Sequence, residues 1–207
     1  MGQERPYAAV VLAGGAGRRL GGAGKPALTV AGWPMLHRVL AAVEGADPRV
    51  VVGPDTLPVP AGVVRTRERP PGGGPVPAVA AGLAELPPWV ECVALLAADL
   101  PLLTPAAVAR LRTAAAAPGT DGAVFVDHSG RPQWLCGAWR IGPLRDRLAG
   151  LGPGLAGTPL HRLLDGLAAA RLTDPGPGPP PWWDCDTAGQ LAYAEVRARS
   201  SPGPGGG

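Results

Sequence analysis

Tyr7-Ala8-Ala9-Val10-Val11-Leu12-Ala13-Gly14-Gly15-Ala16-Gly17-Arg18-Arg19-Leu20-Gly21-Gly22-Ala23-Gly24-Lys25 is the stretch on which the reading of this chain turns. Its first seven residues are an unbroken apolar run closed by glycine, the pattern of a short strand buried on both faces. A glycine-rich loop comes next and ends in Lys25, the only lysine among nineteen basic side chains. Guanidinium is a planar fork, whereas ammonium is a compact charge that can follow a single phosphate oxygen. A loop of exposed amides that also carries Arg18, Arg19 and Lys25 suits a polyphosphate.

Composition limits how much weight glycine can bear. The chain has 207 residues, of which 32 are glycine and 27 proline, so glycine-rich stretches arise easily here. The length suits one domain, and a 46% hydrophobic content is enough for a real core. A net charge of +3 without a basic block argues against nucleic-acid binding. Arg65, Arg67 and Arg69 alternate, but no aromatic platform is interleaved with them. Cys92, Cys136 and Cys185 are odd in number and widely spaced, which is neither a disulfide framework nor a zinc pattern. His37, His128 and His161 form no i,i+4 pair. No leader and no apolar run of membrane-spanning length is expected, and Pro6 stands where a myristoylation signal needs Ser or Thr. The expectation is a soluble, cytoplasmic protein with neither membrane nor nucleic acid as partner.

Beyond the loop, apolar residues at helical spacing predict a helix over Pro34 to Val43. Arg49 to Gly53 and Gly62 to Arg65 read as strands, Val76 to Leu86 as an alanine-rich helix, and Cys92 to Ala98 as a central strand running into Asp99. Thr104 followed by Pro105 predicts a capped helix to about Ala115. Ala123 to Val126 and Leu135 to Trp139 predict a hairpin across His128 to Pro132. A helix from Pro159 to about Leu167, a strand at Ala170 to Leu172 and a helix capped by Thr187 complete the series. Pro175 to Pro181 reads as a connector, and residues 200–207 as a disordered tail after a domain spanning 1–199. Alternating strands and helices favour an α/β domain with a mostly parallel sheet, in which ligands sit beyond the carboxyl ends of the strands. Gly14 and Asp99 both fall at such ends.

Neither common phosphate-loop pattern fits. A Walker A motif needs glycine at position 19 and Ser or Thr after the lysine, but Arg19 and Pro26 stand there. A dinucleotide fingerprint starting at Gly15 needs glycine at position 20, where the chain has Leu20. Leu12 to Lys25 instead resembles Leu-Ala-Gly-Gly-x-x-x-Arg-Leu-Gly-Gly-x-x-Lys, the loop of the MobA-like nucleotidyltransferases that activate the molybdenum cofactor. Asp99-Leu100-Pro101 is similar to that family's Asp-x-Pro turn, and Gly74-Pro75 to its segment beside the nucleotide. Asp184-Cys185-Asp186-Thr187 is similar to its late Asn-x-Asn/Asp-Thr-Pro motif. Three departures stand out. Gly24 replaces a frequent aspartate, Ala188 replaces the late proline, and Arg67 to Arg69 leaves only Glu68 where the family places an acidic nucleotide contact.

The resemblance implies a three-layer, Rossmann-like nucleotidyltransferase fold. It also implies transfer of GMP from Mg-GTP to the phosphate of a molybdopterin-type cofactor, with a molybdoenzyme or its chaperone as protein partner. Lys25 and Arg19 would be catalytic, while Leu12, Ala13, Gly14, Gly15, Lys25 and Asp99 would bind the nucleotide. Asp99 would hold Mg2+, with Asp186 as a second carboxylate. Gly14 points to guanine, since relatives using cytosine carry Leu-Ala-Ala-Gly. The alternatives are a CTP- or sugar-phosphate-using enzyme of the same fold and a nucleotide-binding regulatory protein without turnover. Trp134, Trp139, Trp182 and Trp183 receive no role, because packing is the more common fate of tryptophan.

Overall fold

The computed structural model describes residues 6–14, 27–174, 176 and 178–199. The apolar run near the start forms strand β1 (Ala8–Leu12), every residue of which is buried. A small hairpin, β2 (Thr29–Val30) and β3 (Trp33–Pro34), leads into helix α1 (Met35–Ala42). Next come β4 (Arg49–Val52), β5 (Val63–Thr66), α2 (Pro75–Ala84), β6 (Cys92–Ala97) and α3 (Pro105–Ala115). The second half contributes β7 (Gly122–Val126), β8 (Pro132–Arg140), α4 (Ile141–Gly150), α5 (Leu160–Leu164), β9 (Ala169–Leu172) and α6 (Ala188–Arg199).

Seven strands form one sheet in the order β5-β4-β1-β6-β8-β7-β9. β1 lies parallel to β4 on one side and to β6 on the other, whereas β8 runs antiparallel to both β6 and β7. The two-residue period of β1 sorts its side chains onto two cores. Ala9 and Val11 pack with Leu36, Val39 and Leu40 of α1 and with Val108 and Leu111 of α3. Ala8, Val10 and Leu12 pack on the other face with Val76, Val79 and Leu83 of α2, Leu144 of α4 and Leu163 of α5. The expected three layers are therefore helices, sheet, helices.

Two glycine sites explain how closely these layers approach. A Cβ placed on Gly82 would stand 2.5 Å from Cγ1 of Val10, so α2 can lie against β1 only because position 82 lacks a side chain. On β7 and β8, a Cβ on Gly122 or Gly137 would strike the Trp139 indole, at 2.4 and 2.8 Å. The two glycines clear the space that lets Trp139 be fully buried. Cap chemistry sets the start of α3, where the Thr104 hydroxyl accepts the Ala107 N–H at 3.2 Å and Pro105 occupies the first turn.

The expected helix at Pro159 to Leu167 is shorter, Leu160–Leu164, and α4 and the β2–β3 hairpin were not expected. Gly142 and Pro143 at the start of α4 mask its helical pattern, although proline is tolerated in a first turn. Two-residue strands are too short to show a period.

A third, smaller core joins the hairpin to the C-terminal helix through Val30, Met35, Leu102, Cys185, Ala194 and Ala198. Its polar seam is ordered by two side chains. Arg38, a buried charge on α1, donates from Nε to the Pro101 carbonyl at 2.9 Å and from Nη1 to the Val30 carbonyl at 3.4 Å. Glu195 on α6 accepts the N–H of Ala31 at 2.6 Å and pairs with Arg199 at 2.8 Å. Ala31 needs that tether, because its φ of 49° is left-handed and unfavourable for alanine.

Two outcomes test this packing. Gly82→Val is expected to lower unfolding free energy by at least about 2 kcal/mol, since Val10 is β-branched and enclosed and cannot step aside; unchanged urea stability would contradict the close approach. The Ala31 N–H and then Arg199 hold the Glu195 carboxyl below its ordinary range. A lowered folded value gives stability that is fully present above the unfolded pKa, about 4.3, and lost as pH falls through the folded value. Glu195→Gln should therefore lower Tm at neutral pH and converge with the parent protein in acid.

Candidate active site

The carboxyl ends of the parallel strands open into one cleft of about 890 Å³. Leu12, Ala13 and Gly14 border it at the end of β1, Gly53 and Pro54 at the end of β4, and Asp99 just past the end of β6. Backbone bonds fix this level. The Leu12 carbonyl accepts the Ala98 N–H at 3.0 Å, and the Ala13 N–H donates to the Val52 carbonyl at 2.8 Å. Gly53 sits so close that a Cβ there would lie 3.2 Å from that of Ala13. Next to Asp99, the Arg38 bond to Pro101 holds the turn that follows β6.

The cleft also takes the first turn of α2 through Gly74, Pro75 and Ala78. Gly74 has φ 100°, a conformation glycine supplies without steric cost. A helix N-terminus attracts anions through its free N–H groups, but Pro75 and Pro77 have none. Val76 is thus the one amide donor among the first three helical residues, and this end can hold at most part of a polyphosphate. Glu68 borders the cleft and accepts the Gly72 N–H at 2.8 Å, which shapes the loop ahead of α2.

The opposite end of the cleft comes from β8 and the segment before α6. Because β8 runs antiparallel, with Leu96 beside Cys136, the start of β8 lies where the parallel strands end. Pro132, Gln133, Trp134, Leu135 and Cys136 therefore line the cleft, together with Trp182, Asp184 and Asp186. Trp134 packs on Trp139 at 6.1 Å between ring centroids, and Trp182 on Phe125 at 5.2 Å. Gln133 is held by Asp127, whose carboxyl the Ser129 hydroxyl and then the Arg131 and Ser129 amides pull below its ordinary range. Cys136 is 1% exposed and burial pushes its thiol far up, so it is a wall and not a nucleophile.

Of the residues expected at the site, Leu12, Ala13, Gly14, Asp99 and Asp186 meet in this cleft. Gly15, Arg18, Arg19 and Lys25 lie outside the described residues. Asp184 stands in the late motif but was given no role, and Gln133, Trp134 and Trp182 were not expected there. Only the folding of β8 and the late segment onto the edge reveals them. Among the described residues no three His, Cys, Asp or Glu side chains form a set that could hold a metal by themselves. No helix among them is long and apolar enough to cross a membrane.

An open, mostly parallel sheet with its cleft where the strand order reverses beside β1 defines a nucleotide-binding type of α/β protein. The chain belongs to the MobA-like NTP transferase domain family, whose model matches residues 9–172. No curated protein sequence matches it significantly. Among solved structures it is similar to molybdopterin-guanine dinucleotide biosynthesis protein A from Archaeoglobus fulgidus, with a TM-score of 0.70 and 19% identity over 94% of this chain and 100% of that one. It is also similar to 2-C-methyl-D-erythritol 4-phosphate cytidylyltransferase from Thermus thermophilus, with a TM-score of 0.66 and 19% identity over 93% of this chain and 99% of that one. At these identities the likeness is one of fold.

The closed state of the wall thiol can be checked directly. At about pH 8, near the ordinary thiol value, an aromatic disulfide reagent should leave Cys136 unmodified until urea is added. Rapid native-state modification would put that sulfur at the cleft surface.

Proposed function

We propose that this protein transfers GMP from Mg-GTP to the phosphate of a molybdopterin-type acceptor and releases pyrophosphate. The observation that carries the reading is the convergence of Leu12, Ala13 and Gly14 from one strand end with Asp99 from the next, in a cleft that Asp186 also borders. An acceptor phosphate oxygen attacks the α-phosphorus of the triphosphate. A new P–O bond forms, the bond to the β-phosphate bridging oxygen breaks, and pyrophosphate leaves with the electron pair. The nucleophile is already ionised, so no general base is required.

Two anions must meet, and the work of the chain is alignment and charge neutralisation. The amides following Leu12 would line the nucleotide, while Lys25 and Arg19 would supply the cations for its phosphates. Asp99 and Asp186 suit Mg2+, because both are hard oxygen donors and this ion is commonly bound by one or two carboxylates plus substrate phosphates and water. When bound, the ion would neutralise phosphate charge. Gly14 favours guanine through the resemblance, whose cytosine-using relatives carry alanine at that place, and a glycine leaves the backbone bare for a purine.

The experiment is pyrophosphate release from GTP or CTP, with a molybdopterin-type acceptor or a sugar phosphate, with Mg2+ or chelator. Release is expected only with Mg-GTP and the molybdopterin-type acceptor. Asp99→Ala and Lys25→Ala should each cut kcat/KM by roughly a hundredfold or more, the scale of one lost electrostatic contact to a transition state. Turnover with CTP and a sugar phosphate instead, or nucleotide binding without pyrophosphate from any acceptor, would reject the reading.

A further inference from the structure

Gln190, in the first turn of α6, gathers the preceding segment around itself. Its backbone N–H donates to the Thr187 hydroxyl oxygen at 3.2 Å. Its side-chain oxygen accepts the Asp186 N–H and the Thr187 hydroxyl, both at 3.0 Å. Its amide nitrogen donates to Oδ1 of Asp184 at 3.0 Å. The backbone carbonyl accepts the Trp183 indole N–H at 3.2 Å. Chemistry fixes which way the amide faces. A backbone N–H cannot accept and an ionised carboxylate cannot donate, so oxygen must face Asp186 and nitrogen must face Asp184.

Thr187-Ala188-Gly189-Gln190 has the spacing of a capping box, in which the fourth residue is Glu or Gln. Either residue can accept the N–H groups that a helix start leaves over. Only Gln can also donate to a carboxylate. Here the oxygen takes the Asp186 N–H, one residue before the cap, and the Thr187 hydroxyl, so it shapes the entry to α6; the nitrogen has no part in that, while the residue it holds borders the cleft.

We infer that Gln190 is a positioning residue whose amide nitrogen orients the Asp184 side chain at the cleft, beyond its part in capping α6. The inference rests on the proposed nucleotidyltransferase reading for its effect on turnover. Gln190→Glu keeps an acceptor for Asp186 and Thr187 but sets a carboxylate against Asp184 in place of a donor. Adding Asp184→Asn restores a donor–acceptor pair with the roles exchanged.

The test compares the parent protein, Gln190→Glu, Asp184→Asn and the double variant. Pyrophosphate release is measured at a temperature where all four are fully folded, and urea unfolding is followed alongside. Gln190→Glu should lose roughly tenfold in kcat/KM in the parent, but no more than about threefold relative to Asp184→Asn when that change is already present, the non-additivity expected of two groups in direct contact. An unimpaired Gln190→Glu enzyme, or an equally large loss in the Asp184→Asn background, overturns the inference. Failure of the proposed function shows separately, as no pyrophosphate from the parent protein with any nucleotide and acceptor. The bond is then judged on unfolding, where Asp184→Asn offsets the loss caused by Gln190→Glu if the inference holds and leaves it unchanged if not.

Discussion

The two-sided hydrogen bonding of β1 is the constraint from which the rest of the structure follows. Each edge of this strand is bound to a parallel neighbour, and each face lies under helices, so it has no solvent-facing side. Such a strand tolerates only apolar residues, and Ala8 to Leu12 supplies nothing else. At its end the Leu12 carbonyl is taken by Ala98 and the Ala13 N–H by Val52, while Gly53 donates in turn to Thr66 at 3.0 Å. The ladder thus runs one step past the strands, and the chain leaves them at a common height. A cleft at that height is a product of backbone pairing before any side chain contributes.

The second half of the chain reaches this edge by a different route. α6 belongs to neither main core; it is docked by a small apolar cluster and by the Glu195 bond to Ala31. Arg38 completes the seam by bonding the carbonyls of Val30 and Pro101, one in the hairpin and one in the turn after Asp99. Burial lowers the Arg38 pKa, and the Glu195 charge works against that shift. A guanidinium can serve two carbonyls in different directions at once, which a lysine ammonium at the same depth would do less well. Arg38 thus ties the turn after Asp99 to the hairpin, and Glu195 ties the hairpin to α6.

Much of the frame was legible because its determinants are local. β1 and β6 are uniform apolar runs, and α3 begins at Thr104-Pro105, where cap and proline agree with the observed Pro105–Ala115. The place of Asp99 at the cleft was readable because ligand clefts in open α/β sheets lie beyond the strand ends. At the far end Asp186 was expected from its motif, but Gln133 and Trp134 were not, since their place depends on β8 also running against β6. The same Gln133 and Trp134 at the end of a parallel strand would lie elsewhere. Gln190 carried a partial signal in its spacing from Thr187, which announces a helix cap and says nothing about Asp184. The tryptophans divide in a way composition could not foretell: Trp139 is fully buried, whereas Trp134 and Trp182 border the cleft.

The reversed direction of β8 also separates two parts of the cleft by how the chain builds them. The end formed by β1, β4 and β6 is the terminus of a continuous parallel ladder, so altering its shape means disturbing the central strand. The end formed by Pro132 to Cys136 descends directly from the hairpin turn that Asp127 ties to Ser129 and Arg131. That turn is exposed, and hairpin connections accept changes of length at little thermodynamic expense. One architecture thus pairs a half fixed by the interior strand with a half that follows a surface turn, so the shape of the second can change while the strand that sets the first stays as it is.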